Sequence, residues 1–356
     1  MKMNIEYVVP ELHKYGGIQE FAKSISLELE EFNIKLINWE NDLSIVAKAI
    51  MKFSPAKISS LLYRNYFCFH FKRKYKFNGN LIHFWHPEPA TAFLDMGYEY
   101  IVTCHGMEIL PANIKGFREI LYSEVFDRAL LIHVNSNYTR KLLTKFFDVP
   151  RKKIRVINPP INYKKFVSQG RIRNKDKIII GTLTRFNKRK NVPNIIKALN
   201  ILKEKYDLKF IYYLAGDGLE KKKILNELKN SKFEWKYFGK ISEEKKIKEF
   251  YPSLDVFVLP PLELPNDVEG FGIVYLEANA YGIPVVASKT GGIPEAVKEG
   301  VSGVFANPTD PEDIAMKILK VLENKDKYSS LARKWAKKFD IKKIGEKFRK
   351  MMSEVI

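Results

Sequence analysis

Two carboxylates eight positions apart frame a glycine-rich turn in Glu269-Gly-Phe-Gly-Ile-Val-Tyr-Leu-Glu277. The turn opens an apolar run of helical character, with Glu269 in the loop and Glu277 roughly one and a half turns inside the helix. First-turn amides of a helix lack intrahelical partners and carry partial positive charge, so Phe271, Gly272 and Ile273 could hold an anion or a hydroxyl. The glycines allow a ligand close to the backbone. A carboxylate at the Glu277 position can accept both hydroxyls of a ribose. Taken alone, the spacing also fits a plain helix start with a surface glutamate.

A second group of chemical residues is Gly181-Thr-Leu-Thr-Arg185-Phe-Asn-Lys-Arg-Lys190-Asn191, between an apolar run and a helical pattern. Arg185 and Lys190 are expected at a strand's carboxyl end, where a diphosphate would sit. A guanidinium grips phosphate with two bonds, and a lysine brings a mobile point charge. Lys188 and Arg189 read as solvated members of a charge run. His105 closes another apolar run in Thr103-Cys-His-Gly106, also at a strand end. Cys104 reads as a buried strand residue, since no Cys–His–carboxylate set is evident. The other five histidines read as structural.

These residues need elements to hold them. Strands are expected at 5–9, 81–85, 100–104, 130–135 and 154–157, with helical stretches between, the first over 18–32. After the charged stretch 164–177 the alternation restarts. Strands are expected at 178–183, 210–215, 235–239, 256–259 and 284–287, and helices at 192–205, 219–229, 243–251, 273–281 and 311–323. Strand and helix in alternation give α/β architecture, here two doubly wound units joined near 158–176. Ligands of such sheets bind beyond the carboxyl ends of the strands.

The chain has 356 residues, 61 Lys and Arg against 41 Asp and Glu, and a net charge of +20. That excess is spread over both halves and favours polyanionic partners, although overall composition bias explains it equally well. No nucleic-acid-binding module is recognisable, so nucleic acid is not an expected partner. No apolar run reaches bilayer length. The opening residues lack the apolar stretch of a secretory signal, and the two cysteines suit a reducing compartment, so the expected location is the cytoplasm. Between Asp42 and Glu88 there is no acidic residue, but eight basic ones and several aromatics. This segment, 43–79, fits either a peripheral contact with an anionic membrane face or a buried aromatic helix with a basic outer side.

Several motifs in order resemble the retaining glycosyltransferases of family four, which have the GT-B fold. Arg185 and Lys190 match the family's basic turn. Ala215-Gly-Asp-Gly218, Tyr237-Phe-Gly-Lys-Ile241, Glu269 to Glu277, Gly282–Ala287 and Gly291–Glu295 match its later motifs. Gly16-Gly17, Thr103-Cys-His105 and Val134-Asn-Ser136 match earlier ones. Asn158-Pro-Pro-Ile-Asn162 departs from the family's linker, and Leu262–Val268 is longer and more acidic than its shortest versions.

The resemblance implies two Rossmann-like domains facing across a cleft: 1–165 on the acceptor side, with a helix at 335–356 packing back on it, and 172–334 binding the nucleotide sugar. It implies transfer of a hexose from a nucleotide-diphosphate sugar to an acceptor hydroxyl, with retained configuration. The departing phosphate would help to deprotonate the acceptor, and domain closure would exclude water. His105, Arg185, Lys190 and Glu269 are the expected catalytic residues. Gly17, Gly216, Ile241, Phe271, Gly272, Ile273 and Glu277 join Arg185, Lys190 and Glu269 in binding the donor. No metal and no cofactor are expected, because the basic pair can take the metal's place. The acceptor expected from the basic segment is a lipid-linked glycan or glycolipid at the inner membrane face. A soluble sugar acceptor, or a non-transferase enzyme acting on sugar nucleotides, remains open.

Overall fold

The computed structural model describes residues 2–12, 16–39, 81–94, 96–114, 116–168, 170–172 and 177–356, with a few single positions between 58 and 79. The segment 43–79, and the membrane contact expected of it, therefore lie largely outside the described residues. No helix among the described residues is long and apolar enough to cross a membrane. The chain divides into two compact units, 1–160 with 341–356, and 161–340.

The first unit is a parallel sheet of six strands. These are β1 (Asn4–Pro10), β2 (Asn33–Trp39), β3 (Leu81–Phe84), β4 (Tyr100–Cys104), β5 (Leu131–Val134) and β6 (Ile154–Val156), in the order β2-β1-β3-β4-β5-β6. Its longer helices are α1 (Gly17–Glu28), α2 (Phe117–Arg128) and α3 (Asn137–Phe146). The second unit repeats the plan with β7 (Ile178–Leu183), α4 (Val192–Tyr206), β8 (Phe210–Ala215), α5 (Lys221–Lys229), β9 (Glu234–Tyr237), β10 (Val256–Val258), α6 (Ile273–Ala280), β11 (Val285–Ala287), β12 (Gly303–Phe305), α7 (Pro311–Glu323) and α8 (Lys325–Ala336). Its sheet order is β12-β11-β10-β7-β8-β9. Helix α9 (Ile341–Ser353) returns to the first unit.

Central strands such as β7 and β10 are nearly continuous apolar runs because helices cover both of their faces. Of the four edge strands, β6 and β9 were expected and β2 and β12 were not. β2 is partly exposed and carries polar residues, and β12 is only three residues long. The returning helix begins later than 335. Trp335 donates from Nε1 to the Ala296 carbonyl at 2.8 Å, which keeps 335–340 in the second unit. Amphipathic α9 then lays Phe348 against Phe21 and Trp85 of the first. The expected single helix at 243–251 is an α-turn, a π-helical turn at Lys246–Phe250 and another α-turn.

The order of the second sheet reverses direction between β7 and β10, which places its crevice beyond the carboxyl ends of those two strands. In the first sheet the corresponding point lies between β1 and β3.

Candidate active site

The loops leaving β7 and β10 meet at the switch point of the second sheet. After β7 the chain makes a 3-10 turn at Lys188–Lys190, capped by the Asn187 side chain, and enters α4 through left-handed Asn191. After β10 the loop runs through Leu262–Val268 to Glu269 and the start of α6. Three ties join the two loops. Leu262 N–H donates to the Arg189 carbonyl at 2.8 Å, Asn191 Nδ2 donates to the Pro260 carbonyl at 3.0 Å, and Arg189 Nε donates to Asp267 Oδ1 at 2.7 Å.

Glu269 is the focus of this joint. Its Oε2 accepts from Arg189 Nη1 at 2.7 Å and also from Lys190 Nζ. Its Oε1 accepts from no donor among the described residues. Burial by itself would raise the pKa of this carboxyl. Lys190 first and Arg189 second outweigh that and hold it down to about 2. Burial pulls Lys190 down, although Glu269 opposes it. Arg189 also resists burial's penalty, held up by Glu269 and Asp267.

Arg189 therefore corrects the sequence expectation: it is buried and doubly paired, not solvated. Its neighbour Lys188 is exposed, as a run member should be. A 3-10 turn sends successive side chains about 120° apart, so one member of a basic run can turn inward. Arg185 is exposed on the loop after β7.

Glu277 lies four positions into α6, little more than one turn, and is 6% exposed. Lys246 Nζ donates to Oε1 at 2.7 Å, and Tyr251 hydroxyl donates to Oε2 at 2.7 Å. Burial penalises the Lys246 ammonium, but Glu277 and Glu243 more than offset this and raise its pKa. Each oxygen of Glu277 keeps a second acceptor site for a ligand hydroxyl. Lys246 and Tyr251 were not singled out in the sequence; the π-helical turn, a common mark of functional positions, aims them.

Between the glutamates, the amides of Phe271, Gly272 and Ile273 donate to no acceptor among the described residues. Gly272 sits at φ 92°, and a Cβ there would overlap the Tyr275 ring. The Phe271 side chain is buried against Phe339. Gly292 N–H fixes the Glu269 carbonyl at 2.8 Å. Gly216 follows β8 at φ 138°, and a Cβ there would overlap the Thr184 carbonyl oxygen. This glycine is thus required for the β8 loop to pack against the β7 loop. Ile241 is half-buried against the unit's core.

In the first unit, Gly17 is the first residue of α1, with ordinary φ and nothing described within 4 Å of a built Cβ. Neither the backbone nor packing among the described residues requires glycine there. His105 follows β4, donates from Nε2 to the Trp85 carbonyl at 3.0 Å and stacks on Trp85. Burial lowers its pKa, although Glu108 works the other way.

Beneath it a polar row crosses the sheet. His133 Nε2 donates to the Ile157 carbonyl at 2.9 Å. Neutral His133 must then accept at Nδ1 from Thr103 hydroxyl, 2.9 Å away, and Thr103 accepts from His83 Nε2 at 2.7 Å. Burial drives His83 well down and His133 to about 3, so both are neutral. Cys104 is buried, with its thiol pushed well up.

Residues 164–338 match the family of glycosyl transferases group 1, and residues 38–165 match glycosyltransferase family 4. The chain belongs to the family-four glycosyltransferases. It is 25% identical over 246 residues to an uncharacterised glycosyltransferase of Methanocaldococcus jannaschii, covering 63% of this chain and 60% of the relative. It is 27% identical over 251 residues to a GDP-mannose-dependent alpha-(1-6)-phosphatidylinositol monomannoside mannosyltransferase of Mycolicibacterium smegmatis, covering 66% and 65%. The chain spans little more than half the length of the curated relatives it matches, 54% for one from Erwinia amylovora. In structure it resembles Anabaena HepE in complex with UDP and glucose, with TM-score 0.74 and 17% identity over 99% of this chain and 100% of that one. At that identity the likeness establishes the fold, GT-B.

Proposed function

We propose that this chain moves a hexose from a nucleotide-diphosphate sugar to an acceptor hydroxyl, with retention of configuration. The observation that carries the reading is the joint at the β7/β10 switch point, where Lys190 and Arg189 converge on Glu269 beside three amides that have no acceptor among the described residues. In this reading Arg185 and Lys190 bind the diphosphate and neutralise the charge that grows as the anomeric carbon–oxygen bond breaks. Glu277 takes the ribose hydroxyls. Glu269 Oε1 and the amides of Phe271 to Ile273 take sugar hydroxyls. Gly216 and Ile241 border the nucleotide. Gly17, a glycine that no contact among the described residues requires, offers its amide to the phosphate, and His105 offers its ring to the sugar. The acceptor oxygen bonds to the anomeric carbon on the face the phosphate leaves, and its proton passes to that phosphate. The two cations do the work of a metal, so none is assigned.

For the acceptor we favour a lipid-linked glycan or glycolipid at the inner membrane face. The basic segment supports this, as do the exposed Ile58, Leu62 and Phe69 within it and the acceptor named for the Mycolicibacterium relative. The test incubates the protein with labelled UDP-glucose, GDP-mannose or ADP-glucose and a membrane lipid extract. Label moving into the organic phase, together with flotation on anionic liposomes that is lost on replacing Lys72, Arg73 and Lys74, supports the reading. Label appearing only in water-soluble products would place the acceptor among free sugars.

A further inference from the structure

Both cations at the joint bond to the same oxygen of Glu269, but they are held in different ways. Lys190 has a flexible stem and one carboxylate partner among the described residues. Arg189 bridges two carboxylates, Asp267 and Glu269, each at 2.7 Å. Its carbonyl also accepts from Leu262 at 2.8 Å. Main chain and side chain of Arg189 are therefore both pinned, and Lys190 is the one free to turn.

A diphosphate arriving at the end of β7 competes with Glu269 for the Lys190 ammonium. If Lys190 were the only partner, the exchange would strand a buried carboxylate, which is costly. With Arg189 in place, Oε2 stays paired while Lys190 moves, and Oε1 keeps its direction. We propose that Arg189 is the positioning residue of the donor site: it holds Glu269 with Oε1 presented to the sugar while Lys190 exchanges onto the diphosphate, and through Asp267 it fixes the 262–268 loop to that carboxylate. This rests on the reading of the site as a nucleotide-sugar site. It adds that recognition of the sugar, as distinct from the nucleotide, runs through an arginine that need not touch the donor.

The experiment compares calorimetric binding of UDP, GDP and ADP with that of UDP-glucose, GDP-mannose and ADP-glucose to the full chain. For the pair that the wild type binds, Arg189→Gln is expected to lower affinity for the nucleotide sugar about tenfold more than for the nucleotide, the scale of a lost hydrogen bond to a charged group. Glu269→Gln is expected to do the same. The double variant should be no worse than either single one, because both changes remove one interaction. Arg189→Lys should recover part of the sugar increment. Asp267→Asn, which leaves both cations on Glu269, should give a smaller loss in the same direction; with Arg189→Lys it decides the matter if Arg189→Gln fails to fold. Equal weakening of both ligands in these variants, or additive losses in the double variant, would overturn the role of Arg189 and leave the site reading intact. A wild type that binds no nucleotide and no nucleotide sugar would remove both.

Discussion

The two units both draw titratable groups away from bulk water, the first completely and the second at a crevice, and they reach opposite charge states. In the first unit His83 and His133 meet hydroxyls, carbonyls and rings, and burial leaves them neutral. In the second, Glu269 meets Lys190 and Arg189, and stays ionised in spite of burial. Desolvation always opposes charge; whether it wins depends on counter-charges within bonding reach. The first unit therefore spends its polar groups on a neutral chain through the sheet. The second keeps a balanced set of two cations and two anions at the surface of a crevice, which an incoming anion can rearrange.

Acid should separate the units most sharply. His83 and His133 have folded pKa values below the unfolded 6.5, His133 at about 3, so their stabilisation is complete above pH 6.5 and drains as pH falls below it. His105 shifts in the same direction. A fully depressed histidine loses about 1.4 kcal/mol per pH unit, so His133 removes on the order of 2 kcal/mol between pH 6.5 and 4.5, and His83 acts in the same direction. Glu269 falls from 4.5 to about 2, so its contribution is complete above 4.5 and is lost only below that. Urea unfolding at stepped pH, run once with Trp235 and Trp335 replaced by Phe so that Trp39 and Trp85 report the first unit and once with the reverse replacements so that Trp235 and Trp335 report the second, should show the first unit alone weakening over this window. Equal weakening of both units would break the comparison.

Removing the carboxylate attacks the other side. Glu269→Gln should destabilise the second unit by about 3 kcal/mol at neutral pH, because Lys190 then has no carboxylate partner among the described residues and Arg189 keeps only Asp267. The urea transition of the first unit should not move. Thr103→Val should cost the first unit about 2 kcal/mol, since His83 loses its acceptor and His133 its donor. Gly17→Ala should change stability by no more than about 0.5 kcal/mol, in either direction. Weaker nucleotide binding with an unchanged unfolding midpoint would mark this glycine as present for a ligand.

The central strands were readable because burial on both faces makes them plain apolar runs: 100–104, 178–183 and 210–215 carry the bounds seen in β4, β7 and β8. β2, polar and half-exposed, and β12, a three-residue strand that opens on Gly303, were not. The π-helical turn is silent in the sequence, because Ile247, Phe250 and Tyr251 keep ordinary helical spacing. Glu269 and Lys190 were legible as chemical residues, but their pairing was not. The partner of Arg189, Asp267, lies 78 positions away, and nothing in Lys188-Arg-Lys190 says which side chain turns inward. Sequence spacing places residues on elements; only the sheet order brings the β7 and β10 loops to one point.

The most direct measurement is calorimetric titration of UDP, GDP and ADP into the wild-type protein and Lys190→Ala. The account predicts that one nucleotide binds and that Lys190→Ala weakens it at least about tenfold, as expected for a lost charge-assisted contact. Binding indifferent to Lys190→Ala, or a folded wild type that binds none of the three, would contradict it.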